Sequence, residues 1–124
     1  MSDTYDRLNA LCFGGRLRPV VIRLEPWILS IDTPGLRLAG AWDSDGWSIA
    51  IDRALLDHPR LLVGALLHEM VHQACHQAAG VGGHGPFFVA AAALAGGPLD
   101  IPGPTPATAS TWPYPIPRQL LKEI

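Results

Sequence analysis

Apolar residues recur at helical spacing from the start of the chain: Tyr5, Leu8, Leu11 and Cys12 share one face, Ser2 or Asp3 can cap the segment, and Gly14-Gly15 stops it. The period then changes. Val20, Ile22 and Leu24 alternate with Val21, Arg23 and Glu25, which predicts a half-buried strand ended by Pro26. After a loop marked by Pro34-Gly35, Leu36–Trp42 and Trp47–Asp52 flank the turn-forming Asp43-Ser44-Asp45-Gly46 and predict a hairpin. Trp42 and Trp47 are expected opposite each other at its mouth, as a cross-strand packing pair.

A long helix is predicted over Pro59–Ala79, with Asp57 as cap, Pro59 in the first turn and Gly80 just past the end. Leu61, Ala65, His68, His72 and Cys75 fall near one line on it, while Leu62, Leu66, Met70 and Val71 lie elsewhere around its barrel. A helix apolar on most sides is expected to be buried. The glycine-rich link Gly80–Gly83 leads to His84, and Pro86 opens a short alanine-rich helix that ends at Gly96-Gly97. Pro98–Pro117 holds seven of the twelve prolines, which excludes helix and central strand and predicts an extended wrap or tail anchored by Trp112 and Tyr114. Gln119–Ile124 could add a last helical turn. The expected division is a core over 1–97 and a proline-rich segment over 98–124.

Composition narrows the class. A chain of 124 residues, 48% hydrophobic and 16% charged, fits one domain with a single core. The net charge is −2, with eight Arg and one Lys spread thinly, so charge does not support a nucleic-acid partner. Apolar runs fall short of the ~20 residues that a spanning helix needs, so no membrane role is expected. Cys12 and Cys75 form no C-x-x-C pair, and no signal-type segment opens the chain, which predicts a cytoplasmic protein with reduced thiols. Oligomeric state is not legible.

The chemistry lies in His68-Glu69-Met70-Val71-His72, followed by His84-Gly85-Pro86-Phe87-Phe88. Five His and three Glu in 124 residues make a chance H-E-x-x-H rare, with roughly 0.005 occurrences expected. Histidines at i and i+4 share a helix face and can grip one ion, while the glutamate between them is offset to reach a water. A catalytic zinc takes three protein ligands and leaves one position to water, and His84 is the natural third. Zn²⁺ held by three neutral imidazoles lowers the pKa of its water to about 7. Glu69 can then accept the proton and later deliver it to a departing amine. Cys75 and His76 also approach the ion from the same helix, and either would close the fourth position and make the site structural. Ligands crowded on one helix make a poor tetrahedron, so a packed Cys75 and a supporting or solvated His76 are expected instead. A metzincin is excluded because the position six after His72 is Ala78.

These motifs resemble the SprT-like metallopeptidases. Leu8-Asn9-Ala10-Leu11-Cys12-Phe13-Gly14-Gly15-Arg16-Leu17 is similar to their opening F-F-x-G-x-L element, with Cys12 in place of an aromatic. Leu66–His72 is similar to their L-L-H-E-M-x-H core, and His84-Gly85-Pro86-Phe87-Phe88 to their H-G-P-x-F element. Ala39-Gly40 and Ile49–Asp52 fit the strands before the metal helix, and Ser110–Tyr114 resembles a W-P segment of short members. The resemblance implies an α+β, compact zincin-like (minigluzincin) domain, a small mainly antiparallel sheet packed with helices. It also implies zinc-dependent hydrolysis of a protein or peptide substrate, with His68, His72 and His84 as ligands and Glu69 as catalyst. Members such as Spartan degrade proteins crosslinked to DNA, which makes DNA-associated proteins candidate substrates. The alternative from a different class is a non-catalytic, zinc-stabilised binding module that keeps the motif as a fold device. A third possibility is another H-E-x-x-H lineage, such as the antirepressor-cleaving peptidases, and the His84-Gly85-Pro86 element argues against it.

Overall fold

Proline and glycine bracket the helix that carries the histidines. Pro59 occupies the first position of α2 (Pro59–Ala79), where a missing N–H costs nothing, and Gly80 ends it in the left-handed region at φ 65°. The Gly80 N–H bonds the His76 carbonyl at 2.9 Å, which closes the last turn. The structure, a computed structural model, describes residues 2–97 and 99; the expectations for the proline-rich stretch, Trp112, Tyr114 and Gln119–Ile124 fall outside them.

The chain runs α1 (Ser2–Phe13), β1 (Val21–Glu25), β2 (Ile28–Leu29), β3 (Arg37–Leu38), β4 (Gly40–Asp43), β5 (Ser48–Asp52), a 3₁₀ turn over Arg53–Asp57, α2, and α3 (Pro86–Ala95). The described residues make a small α+β fold of three helices and a mixed sheet. The sheet has the order β1-β5-β4: β5 pairs antiparallel with β4 through the tight turn and parallel with β1. A separate two-stranded antiparallel ribbon joins β2 and β3. The hairpin is therefore present, but its first arm is split. Leu38 pairs with Ile28, and by Ala39 the chain has turned to β5, where the Ala39 carbonyl accepts from Asp52 N at 2.9 Å.

The cap expected at Asp57 is taken over by the preceding turn. Asp57 closes the 3₁₀ segment, His58 holds the cap position of α2 without a side-chain bond, and Asp52 caps the 3₁₀ segment through Ala54 N. The two tryptophans differ from expectation too. Trp42 pairs with Ile49, while Trp47 sits in the turn at φ 49°, the one described non-glycine residue with positive φ. Gly46 serves close approach instead: a Cβ there would lie 2.7 Å from Asp43 Oδ2. The rings still meet, edge to face with centroids 5.0 Å apart.

All five residues of β5 are buried, as a central strand packed against α2 requires. Leu8, Ile49, Ile51, Leu55, Leu61, Leu66, Leu67 and Met70 form the main core, each apolar side chain contributing about 1.5–3 kcal/mol by burial. Val71, Cys75, Phe88, Ala92 and Ala95 make a second cluster that fastens α3 to α2. On α1, Tyr5 and Leu8 are buried as expected, but Leu11 is exposed. Tyr5 Oη donates to Gln73 Oε1 at 2.9 Å and lies 3.0 Å from the Arg18 carbonyl, which also accepts from Gln73 Nε2 at 2.8 Å. That network ties α1 and the loop before β1 to the middle of α2.

Candidate metal centre

α2 sets two histidines one turn apart, and the glycine-rich link brings a third over them. His68 is buried, His72 half-buried and His84 exposed. Their Nε2 atoms converge: His84 Nε2 lies 3.1 Å from His72 Nε2 and 3.2 Å from His68 Nε2. A ring nitrogen offers either one in-plane lone pair or one N–H, so one atom cannot make two good hydrogen bonds to like partners. Three lone pairs aimed at a common cation remove that conflict. Ligand atoms at about 2.0–2.1 Å from a tetrahedral ion stand about 3.3 Å apart, close to the separations found. The residues fit a divalent ion, and among the described residues they are the one group of histidine, cysteine or carboxylate side chains arranged to hold one.

Electrostatics suit the same role. Burial, followed by the neighbouring His68 and His84, pushes the His72 pKa down to about 3, which keeps its imidazole neutral as a metal ligand must be. Glu69 is 5% exposed, and burial lifts its carboxyl to about 8 in the metal-free chain.

Phe88 closes the floor beneath the histidines. Its ring stands 5.1, 4.3 and 4.9 Å from those of His68, His72 and His84. It sits on the first turns of α3, four residues after His84, so Gly85-Pro86 lets one short element supply both a histidine and the ring that props all three. Sequence reasoning gave Phe88 no such part, although the spacing from His84 carries the signal.

Above the histidines opens a hollow of about 500 Å³, lined by Asp32, residues Leu38–Trp42, Ser44, His68, Glu69, His72, His76 and Gly82–His84. β4 approaches closely: a Cβ on Gly40 would lie 3.0 Å from the Ala50 carbonyl oxygen and 3.2 Å from Glu69 Cγ. Glycine there lets the strand pass directly over Glu69. Since Ala39 and Asp52 form a hydrogen-bonded pair, alternation makes Gly40 and Trp42 non-hydrogen-bonded toward β5, so their backbone groups face outward on the open edge. β4, like β1, is thus an edge of the sheet, whereas β5 is central.

Cys75 packs in the second core cluster, and burial raises its thiol, so it stands apart from the convergence. His76 lines the hollow but is not among the three converging rings.

A family model described as the SprT-like family matches residues 1–108. The chain belongs to the SprT-like family. The match covers the opening helix, every strand, the histidine helix and α3 of this SprT-like chain, so the resemblance of its motifs extends over the whole described fold. No curated protein and no solved structure matches it. Among the described residues of this SprT-like chain, no helix is long and apolar enough to cross a membrane.

Proposed function

We propose that this protein is a zinc-dependent metallopeptidase with a zincin-like core, hydrolysing peptide bonds in a protein or peptide substrate. The observation that carries this reading is the convergence of three Nε2 atoms beside a buried glutamate, at the foot of a hollow bordered by an unpaired strand edge. His68, His72 and His84 would hold the ion. When bound, zinc supplies Lewis acidity, polarising the substrate carbonyl and lowering the pKa of a water in its open position. Glu69 takes the proton as the water oxygen attacks the carbonyl carbon, and returns it to the nitrogen as the C–N bond breaks.

An extended substrate segment adds to the open edge of β4, where Gly40 and Trp42 offer N–H and C=O groups to it. Strand addition of this kind favours unfolded stretches, because a folded chain has already paired its backbone. Residues 1–97 form the catalytic core in this reading, and 98–124 a wrap or tail. Free Cys12 and Cys75 suit a reducing, cytoplasmic setting.

The test is zinc content and cleavage of an unfolded protein by wild type, Glu69→Gln and His84→Ala, with and without single-stranded DNA. Expected are one zinc per chain in wild type and Glu69→Gln, weakened zinc in His84→Ala, and cleavage by wild type alone. Zinc without turnover under any condition would establish the binding module instead, and a requirement for DNA would identify DNA-associated proteins as substrates.

A further inference from the structure

The sequence of α3, Pro-Phe-Phe-Val-Ala-Ala-Ala-Ala-Leu-Ala, contains no polar side chain, so the helix is apolar on every side. A helix of that kind belongs in an interior, yet only one stripe of it is well covered. Phe88, Ala92 and Ala95, at i, i+4 and i+7, are buried against α2. The stripe one residue earlier, Phe87, Ala91 and Leu94, is largely open: Phe87 is 44% and Leu94 90% exposed.

That open stripe forms one wall of a groove of about 530 Å³. Phe13 at the end of α1 and Ala74 and Ala78 on α2 supply other walls, and no residue of this lining borders the hollow above the histidines. Arg16 is the one charged residue in the lining. The one amide side chain there, Gln77, is already engaged, donating to the Arg16 carbonyl at 2.7 Å and accepting from Arg18 N at 2.9 Å. A groove so lined offers little to a backbone donor, so it suits an occupant that is apolar and short of N–H groups.

The chain carries such a segment directly after α3. Gly96 ends the helix, and a Cβ on Gly97 would stand 3.1 Å from Val71 Cγ2, so the chain leaves α3 against the body of the fold. Beyond the described residues, the sequence 101–117 holds six prolines, which lack a backbone N–H, and no charged side chain. Trp112, Tyr114 and Ile116 alternate there with Pro113, Pro115 and Pro117. A residue before proline favours extended backbone, in which side chains two apart share a face, so these three large apolar residues can present one stripe. Extended, the path from Trp112 to Ile116 covers about 13 Å, and the helical path from Phe87 to Leu94 about 10 Å, so the two stripes match in length.

We propose that the segment 101–117 folds back onto α3 as an intramolecular cover, seating Trp112, Tyr114 and Ile116 in this groove. So covered, α3 is held from both sides, and with it Phe88 beneath the histidines. The cover forms whether or not the protein cleaves peptides.

The experiment uses the full chain of wild type, Trp112→Ala, Leu94→Glu and, as a control, Ile31→Glu at a residue 98% exposed. The wild type is expected to show nuclear Overhauser contacts from the Trp112 indole to the Leu94 methyls, and a half-labelled mixture should show them within one chain. Trp112→Ala and Leu94→Glu are each expected to speed the reaction of the half-buried Cys12 thiol in the groove wall with a bulky maleimide by about tenfold, and to lower the thermal midpoint by about 4–8 °C. Ile31→Glu should change neither. Contacts found only between chains, which would assign the groove to a second copy, would overturn the cover. So would their absence from the wild type, or a Cys12 rate unchanged in both variants.

Discussion

At the scale of single residues, Gly40 shows how little space the site leaves. Gly40 has an ordinary backbone conformation, so its glycine is a matter of room: a methyl group would press on the Ala50 carbonyl at 3.0 Å and on Ile51 and Glu69 at 3.2 Å. Gly40→Ala is expected to cost about 1–3 kcal/mol by overpacking, with Glu69 as the neighbour best able to give way. Hydrolysis should then fall more than stability accounts for; wild-type stability in urea would sink the idea. Tyr5 offers a pH signature far from the histidines. Burial raises its phenol above 10.0, outweighing its hydrogen bond to Gln73, so above pH 10 the folded chain holds a proton that the unfolded chain has released. Stability from this group is complete below pH 10 and is lost as pH rises toward the folded pKa. Tyr5→Phe should be less stable at pH 7, and the gap to wild type should narrow above pH 10 in denaturant titrations. A constant gap would show that Tyr5 does not titrate with folding.

Among the elements, those whose signals are local were legible and those made by distant pairing were not. α2 and α3 begin at Pro59 and Pro86 and stop before Gly80 and Gly96, because a fixed φ and a left-handed glycine act on their own segment. The same spacing brought His68, His72 and His84 forward as one set before any fold was known. The parallel pairing of β1 with β5 left no mark on β1 beyond alternation, since its partner lies over twenty residues away. The break in Leu36–Trp42 was hidden for the same reason: what splits it is the change of partner from β2 to β5 at Ala39. One buried ion pair fastens that junction. Asp52, fully buried, accepts from Arg37 Nε at 2.7 Å and Nη2 at 2.9 Å and from Ala54 N at 3.0 Å, while the Arg37 guanidinium covers Trp27 at 3.7 Å. Removing one partner leaves the other charge without compensation, so Asp52→Ala should destabilise the fold by about 3 kcal/mol. Hydrogen exchange in β2, β3 and the 3₁₀ turn should rise most; protection lost first in α1 would point to a different fastening.

For the whole molecule, the three converging histidines join parts that packing alone holds unequally. His68 and His72 stand on a helix buried along most of its length, whereas His84 is exposed and follows a link, Gly80–Gly83, with few side chains to anchor it. An ion shared by the three would tie that link and the start of α3 to the core, and, binding only the folded chain, would raise stability by mass action. At a free concentration a thousand times its Kd the gain is about 4 kcal/mol. For a fold of this size each kcal/mol shifts the midpoint by about 4–8 °C, so chelation is expected to lower it by at least about 15 °C. The loss should not be uniform. Amides from Val81 to Gly85 and the first turn of α3 should exchange faster on chelation, while the centre of α2, enclosed by Leu66, Leu67 and Met70, keeps its protection until global unfolding. Phe88 gives the control: Phe88→Leu keeps all three histidines but removes the ring that props them, and should weaken metal affinity while the chelated protein loses only a few kcal/mol. A midpoint unmoved by chelator, in a preparation that demonstrably contained the ion, would mean that the histidines meet without the fold depending on what they hold.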